Sequence, residues 1–450
     1  MRTRTRISTL VLAALALTCG ALTSPIAQAS AATATTGSFS VLSYNVAGLP
    51  QGVSSAPGDR TADTTMIGQR LGPFDVVHVE EDFNYHAALY AGDTTHAYRT
   101  PTSGGAGLGS GLNTLSDLPY AVDDFERVKW NACQLDSGDC LTPKGFTFMK
   151  VRIADGVYVD FYNLHTNAGT NDGDEAARAS NLSQLSAYIQ SHSAGDAVIV
   201  MGDTNTRYTR AADTIAQFAS ANGLTDVWVR NVLGGAAPAA GSPPLLCDEN
   251  AITDSCEVVD KVLYRGSKLV DLNATSYHNE HAGFLDASGQ MLSDHDPISA
   301  RFTWTLSDDY RTSEQYGGPH GDYFNDLPSV APRAQAATIR LRSGSRVDQV
   351  GLSRTDGTTA AHGGTGGTLS SLTLGPSEHL TTAILCEGSY NGHTRIFSAK
   401  FGTDLGRSLS GGTTTSDCVT YAAPAGWQIA GFQGRAGDEI DKLGLVFTRV

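Results

Sequence analysis

Five short polar clusters, each closing an apolar run, hold the residue types that phosphate-ester chemistry needs. They are Asn45 in FSVLSYN, Glu80-Glu81 in DVVHVEE, His165 in VYVDFYNLH, Asp203 with Asn205 in VIVMGDTN, and Asp294-His295 in SDHDP. Carboxylates and carboxamides are oxygen donors suited to Mg2+, which takes one or two carboxylates together with substrate phosphate oxygens. A histidine flanked by Asp294 and Asp296 is a candidate general base. Adjacent strand residues point to opposite faces, so Glu80 and Glu81 compete for the metal-facing position. Asp203 and Asn205 share a face if their strand continues, although Gly-Asp-x-Asn alone also occurs as a plain turn.

These clusters act together only if their strands end at one rim. Between Gly37 and about Trp304, apolar runs alternate with helical stretches. Leu182, Leu185 and Ile189 recur at helical spacing in EAARASNLSQLSAYIQS, with Asp174 and Glu175 near its start. A second helix, AADTIAQFASANG, buries Ile215 and Phe218 and stops at Asn222-Gly223. VIVMGD between them is too short and valine-rich for a helix and reads as a buried strand. KGFTFMKVRIADGVYVDFYNLH reads as a hairpin turning at Ala154-Asp155-Gly156. The alternation predicts an α/β sandwich, a class that gathers its chemistry at strand ends.

At 450 residues the chain exceeds what one core organises, so two domains are expected. The polar segment LSDDYRTSEQYGGPHGDYFNDLPSVAP, with Gly317-Gly318-Pro319, reads as a linker. Beyond about Ala337 come short strands divided by Gly, Ser and Thr, an all-β signature. RVDQVGLSR, HTRIFSAKF and EIDKLGLVF echo one another and predict a threefold arrangement of sheets. The N-terminus carries three arginines, an apolar stretch and Ala27-Gln28-Ala29, a secretory signal pattern that predicts a secreted protein. Cys133, Cys140, Cys247, Cys256, Cys386 and Cys418 then suit disulfides, and proximity favours 133–140, 247–256 and 386–418. The net charge of −15 weighs against a long polyanion as substrate.

With these residues in place, residues up to about 305 resemble the endonuclease/exonuclease/phosphatase superfamily of metal-dependent phosphodiesterases, whose fold is a four-layer α/β sandwich. Asn45, Glu80-Glu81, His165, Asp203 with Asn205, Asp260 in VVDKVLY, and Asp294 with His295 match its motifs in order. The resemblance implies Glu81 as ligand of Mg2+ or another divalent cation, with Asp294 contributing to the metal environment. It implies His295 as the base, oriented by Asp260. Asp203 and Asn205 would then orient the nucleophile and phosphoryl oxygens, and His165 and Asn45 would bind phosphate. One departure is that Glu80 stands where the family has glutamine. SGLNTLSDLP is similar to the family's second core strand. Lys144-Gly145 is similar to a Lys-Gly strand of bacterial sphingomyelinase C-type members and points to a phospholipid head group, with peripheral membrane contact.

The last 135 or so residues resemble a jacalin-type lectin domain, an all-β prism, through GGPHGDYFND and GFQGRAGDEIDKLGLVF. That resemblance implies a carbohydrate site at Gly321, Gly437, Asp438, Glu439 and Asp441. The expected organisation is a signal peptide at 1–29, a catalytic domain at 37–305, and linker plus lectin domain at 306–450. The expected activity is a secreted Mg2+-dependent phosphodiesterase acting on phospholipid head groups. The alternatives are an extracellular nuclease on the same fold and an inactive glycan-binding or toxin-like protein.

Overall fold

The computed structural model describes residues 35–136 and 138–450. The expected signal peptide lies outside the described residues.

Two six-stranded sheets form the centre of the first part. One runs Val270–Asn279, Ile298–Leu306, Thr36–Asn45, Val76–Glu80, Asn113–Ser116, Tyr98–Arg99. The other runs Glu126–Lys129, Gly145–Ala154, Val157–His165, Val198–Asp203, Asp260–Arg265, Thr225–Asp226. Their inner faces meet through buried aromatic rings: Phe39 lies 6.1 Å from Phe161 across the sheets and 5.5 Å from Phe302 within its own. Helices cover the outer faces. The Arg60–Arg70 helix buries Ile67 with Leu71 and Leu89 against the first sheet. The Asp172–His192 helix buries Leu182, Leu185 and Ile189 against the second. This helix begins where the sequence places it, because Asn171 accepts from the N–H groups of Gly173 and Asp174 in a capping box. The following helix is shorter than its pattern predicts and spans only Ile215–Ala221.

Strand direction brings the clusters to one rim. Asn45 pairs with Glu80 at the ends of parallel strands, and His165 pairs with Asp203 in the same way. Asp260 opens an antiparallel strand opposite Asp203. Asn113, Gly145 and Ile298 begin strands antiparallel to these, so the loops before them enter at the same end.

The second part is three sheets, in which Val347–Arg354, His393–Thr403 and Ile440–Arg449 each take an inner position. Those are the three segments that echo one another in the sequence. Leu341, Leu352, Phe401, Phe432 and Leu445 fill the core between them. The linker expectation is overturned. Tyr310–Thr312 and Tyr316–Gly317 pair with the last strand, and Asp322–Asn325 pairs with Trp427–Ala436, so the polar segment supplies edge strands of the prism. Edge strands are short and often polar, which is why they read as connection. The first core continues into the second part through Leu327, Val330, Ala430 and Val446. Disulfides join Cys133 to Cys140, Cys247 to Cys256 and Cys386 to Cys418.

Candidate active site

Asp203 is the hub of the rim. Its Oδ2 receives Asn45 Nδ2 at 3.1 Å and lies 3.2 Å from His165 Nε2, while Oδ1 receives the Asn205 N–H at 2.9 Å. His165 thus presents Nε2 to this oxygen, and its buried Nδ1 has no partner. Burial alone would raise the Asp203 pKa, but His165, His295 and Lys144 outweigh it and bring it down to about 2. Burial, with help from the Lys144 charge, lowers His165 to about 3, so its ring is neutral.

His295 closes the site from the other sheet. Its Nδ1 lies 3.1 Å from Asp260 Oδ2 and its Nε2 lies 3.8 Å from Asp203 Oδ2. Burial disfavours the imidazolium, yet Asp260 and Asp203 prevail and hold its pKa well above the ordinary value. Asp203, Asp260 and His295 form a compact group whose ligand-type atoms lie within 4.8 Å of one another.

Three non-glycine residues at this rim have left-handed backbone: Ala47 at φ 48°, Glu81 at φ 55° and Asn205 at φ 48°. Each follows the end of a central strand. Such conformations cost on the order of 1–3 kcal/mol and persist only where the surroundings impose them. For Glu81 those surroundings are the Gly48 and Phe83 N–H groups, which donate to its carbonyl at 3.0 and 2.8 Å. A Cβ on Gly48 would sit 2.2 Å from that oxygen, so glycine is required there. For Asn205 the sequence leaves two readings open. The strand stops at Asp203, so Asn205 lies in a turn and does not share the strand face of Asp203.

Glu80 and Glu81 separate clearly. Glu80 is fully buried, with Oε2 lacking a partner and Oε1 in a 3.5 Å contact with Ser43. Burial, then the charges of Asp260 and Asp203, push its pKa well above normal, so it stands as a neutral acid, an isostere of the glutamine it replaces. Glu81 is half-buried, and burial raises its pKa while Lys144 and His295 oppose the rise. Asp294 is exposed, and its carboxylate accepts from Ser55. Asp260 Oδ1 is orphaned within the Asp203–Asp260–His295 group, and with the Glu81 carboxylate, on which Asp203 acts, this donor set fits a divalent metal.

The neutral state of Glu80 has a consequence for stability. Its folded-state pKa lies above the unfolded value of 4.5, so its favourable contribution holds at acid pH and is lost as pH rises through the folded pKa. Glu80→Gln removes that loss. In chelator, we expect Glu80→Gln to raise stability by on the order of 1–2 kcal/mol at pH 8 and little at pH 4. Thermal melts across that range check it, and a uniform shift at both pH values would contradict the burial of a protonated Glu80.

Residues without a motif support the rim. Arg60 is fully buried and donates to the carbonyls of Val46 at 2.7 Å, Leu292 at 2.7 Å and Ala47 at 3.2 Å, tying the Asn45 loop to the His295 loop. Asp82 accepts from Asn113 and contacts His86 Nδ1, both at 2.6 Å, bracing the residue beside Glu81. Nothing in the sequence patterns marks these residues. Lys144 is nearly buried, pairs with Asp139, and acts electrostatically on Glu81, His165 and Asp203.

In the prism, Gly321 faces Asp441, since a Cβ on it would lie 2.6 Å from Asp441 Oδ2. The Gly437 N–H donates to the Glu439 carbonyl at 3.0 Å, shaping the loop through Asp438. Both acidic side chains are already engaged: Asp441 with Arg395, and Glu439 with Arg346 and, at 3.3 Å, Arg395. Asp441 Oδ2 is buried without a partner.

A two-sheet sandwich carrying a histidine–carboxylate rim, joined to a threefold prism, is the architecture of a phosphoesterase-type domain bearing a lectin-type module. Comparison with known proteins agrees. Residues 59–238 match the Endonuclease/Exonuclease/phosphatase family 2, and residues 313–446 match the Jacalin-like lectin domain. The chain therefore carries an endonuclease/exonuclease/phosphatase-type domain followed by a jacalin-like lectin domain. It is 41% identical over 272 residues to sphingomyelinases of Mycobacterium tuberculosis and Mycobacterium bovis, a match covering 59% of this chain and 53% of theirs. The chain thus spans about half the length of these relatives. Among solved structures, it is similar to sphingomyelinase C from Streptomyces griseocarneus, at 18% identity and TM-score 0.40, covering 60% of this chain and 100% of that one. It is also similar to a mannose-binding jacalin-related lectin from Ananas comosus, at 21% identity and TM-score 0.28, covering 31% and 99% respectively.

Proposed function

We propose that the protein is a secreted phosphodiesterase of sphingomyelinase type, held near its substrate by a carbohydrate-binding prism. The observation that carries this reading is the Asp260–His295–Asp203 array, with His295 Nδ1 fixed on Asp260 and Nε2 directed to the rim. Two carboxylates stabilise the imidazolium that forms when a neutral His295 takes a proton at Nε2 from an attacking water, and a cation bound at Glu81 would oppose the rise in its pKa that they cause. Asp260 fixes the tautomer and orientation of that ring. Asp203, held by Asn45, His165 and the Asn205 N–H, is placed to orient the water. The Asn45 carboxamide lies beside it as a phosphate-oxygen donor, with the neutral His165 ring set against the same Asp203 oxygen. Glu81, with Asp294, would hold Mg2+, which when bound supplies positive charge against the charge developing on the phosphoryl oxygens.

The relatives named sphingomyelinase favour a phospholipid head group over a nucleic acid, as does the net charge of −15. The prism, through Gly321 and the Gly437–Asp441 loop, would bind carbohydrate and raise the local concentration of enzyme at a glycan-bearing surface. The test is purified protein assayed against sphingomyelin vesicles, phosphatidylcholine vesicles and duplex DNA, with Mg2+ or with chelator. We expect Mg2+-dependent choline-phosphate release from sphingomyelin, lost in chelator and restored by Mg2+. DNA cleavage without lipid turnover would overturn the reading.

A further inference from the structure

Two imidazoles meet at the surface of the prism. His320 Nε2 lies 2.7 Å from His393 Nδ1, with the ring planes 84° apart. The two come from segments distant in sequence. His320 lies in the loop between Tyr316–Gly317 and Asp322–Asn325, and His393 opens the strand His393–Thr403. Backbone packing sets their approach. Gly318 lies so close to the Thr394 carbonyl that no Cβ would fit, and its N–H donates to the Asp441 carbonyl at 2.8 Å. On the other side, Asn391 and Gly392, at φ 52° and 78°, form the tight turn that leads into His393.

We propose that His320 and His393 form a binding site for a transition-metal cation of the Zn2+, Cu2+ or Ni2+ class, beside the Gly437–Asp441 loop. The inference goes beyond the phosphodiesterase and carbohydrate readings and depends on neither. Two ring nitrogens this close share either one hydrogen or one cation. Metal–imidazole bonds of about 2.0–2.1 Å place neighbouring nitrogens about 3 Å apart, so small ring movements admit the ion. Imidazole nitrogens suit these metals, whereas the oxygen-rich catalytic rim suits Mg2+. Partial burial, and then the His393 charge, lower the His320 pKa, which keeps that ring free to ligate at neutral pH. The charge behind the pair is also favourable. Asp441 is buried with Oδ2 unpartnered, and it interacts electrostatically with His320. The neighbouring cations are already held by carboxylates, Arg395 by Asp441 and Glu439, and Arg435 by Asp124. Among the described residues, the only three-residue donor group within 4.8 Å is Asp203, Asp260 and His295. The prism ion therefore takes two imidazole ligands and fills its remaining positions with water. Bound there, it staples the 318–321 loop to the 391–394 turn.

The experiment is calorimetric titration of the full chain with Zn2+, after chelator has been removed and Mg2+ added in excess to occupy the catalytic rim. The variants are His320→Ala, His393→Ala and, as control, His379→Ala elsewhere on the prism. We expect wild type and His379→Ala to bind one Zn2+ that either pair variant binds at least about 100-fold more weakly. Losing a group that merely supports a ligand already costs about 10–100-fold, and each pair variant loses a ligand itself. Binding should weaken on acidification, because protons compete for the same nitrogens. Both rings reach the surface, so the metal-free variants should melt close to wild type. Zn2+ should then raise the melting temperature of wild type and leave that of the pair variants unchanged. A reading on wild type alone comes from Cu2+, whose electron spin resonance spectrum should carry hyperfine coupling to two imidazole nitrogens. Zn2+ binding equal to wild type in both pair variants would overturn the site. So would Mg2+-saturated wild type that takes up no Zn2+, or a Cu2+ spectrum without two-nitrogen coupling.

Discussion

His295→Ala should lower kcat by about 10³–10⁴-fold with little change in KM, because it removes the group that takes the proton while leaving the phosphate-facing residues in place. The expectation rests on geometry. His295 is the one ring at the rim whose Nδ1 is fixed by a carboxylate, 3.1 Å away on Asp260, and whose Nε2 is directed to Asp203. His165 is no substitute, since burial keeps its pKa at about 3 and no carboxylate fixes its Nδ1, which is buried without a partner. Asp260→Asn should cost nearly as much, since an amide at that position destroys both the tautomer preference and the imidazolium stabilisation. The double variant should be less than about tenfold worse than His295→Ala alone, because two residues that act as one unit are not additive. Stability separates chemistry from folding. Burial raises the Asp260 pKa, so removing that carboxylate relieves a desolvation cost, and Asp260→Asn should melt at or above wild type in chelator. Steady-state kinetics on vesicles together with melting curves decide the matter. A His295→Ala protein retaining more than about a tenth of wild-type kcat would remove His295 as base.

The strand-end clusters were legible because each chemical residue sits at a boundary the hydrophobic pattern also marks: valines end at Glu80, at His165 and at Asp203. What was not legible depends on contacts distant in sequence. Glu80 reads as an added charge, and only its complete burial reveals a neutral acid. Asn205 reads equally as a strand residue or as part of a turn, and only the end of the strand at Asp203 and the positive φ of Asn205 decide between them. Arg60 carries no mark in the sequence, and its role shows only in the three carbonyls it holds. Tyr310–Thr312 reads as linker because its partner strand, Ile440–Arg449, closes the chain. The lectin motif was readable at Gly321 and the Gly437–Asp441 loop, but the arginines engaging its carboxylates come from other strands, Arg346 beside Val347 and Arg395 within His393–Thr403.

Asp124→Ala should destabilise the whole molecule, since this carboxylate joins the two domains. Asp124 lies in the catalytic part, buried, and binds Lys442 Nζ at 2.7 Å and Arg435 Nη1 at 3.1 Å, both from the prism and both about nine-tenths buried. Arg435 also stacks over Tyr323 at 4.1 Å, and Tyr323 packs on Phe148 of the catalytic sheet at 5.8 Å. Removing Asp124 leaves Lys442 without its buried carboxylate and Arg435 with only Glu126, 3.8 Å away. Breaking one member of a buried pair costs about 3–5 kcal/mol, mostly from the charge left unpaired. At about 2 cal/mol/K per residue over roughly 420 residues, that cost corresponds to a fall in melting temperature of about 5 °C. The shared core makes the form of the transition as informative as its midpoint. Leu327, Val330, Ala430 and Val446 belong to the same apolar cluster as Phe148 and Phe161, so catalytic part and prism should unfold together in one calorimetric transition, in wild type and variant alike. Asp124→Ala/Lys442→Met should recover part of the loss by removing one stranded charge, which distinguishes charge burial from a cavity at position 124. Two separate transitions, with only one shifted by Asp124→Ala, would mean that the prism is an independent module, and that its contact with the catalytic part does not support the rim on which His295 and Glu81 are held.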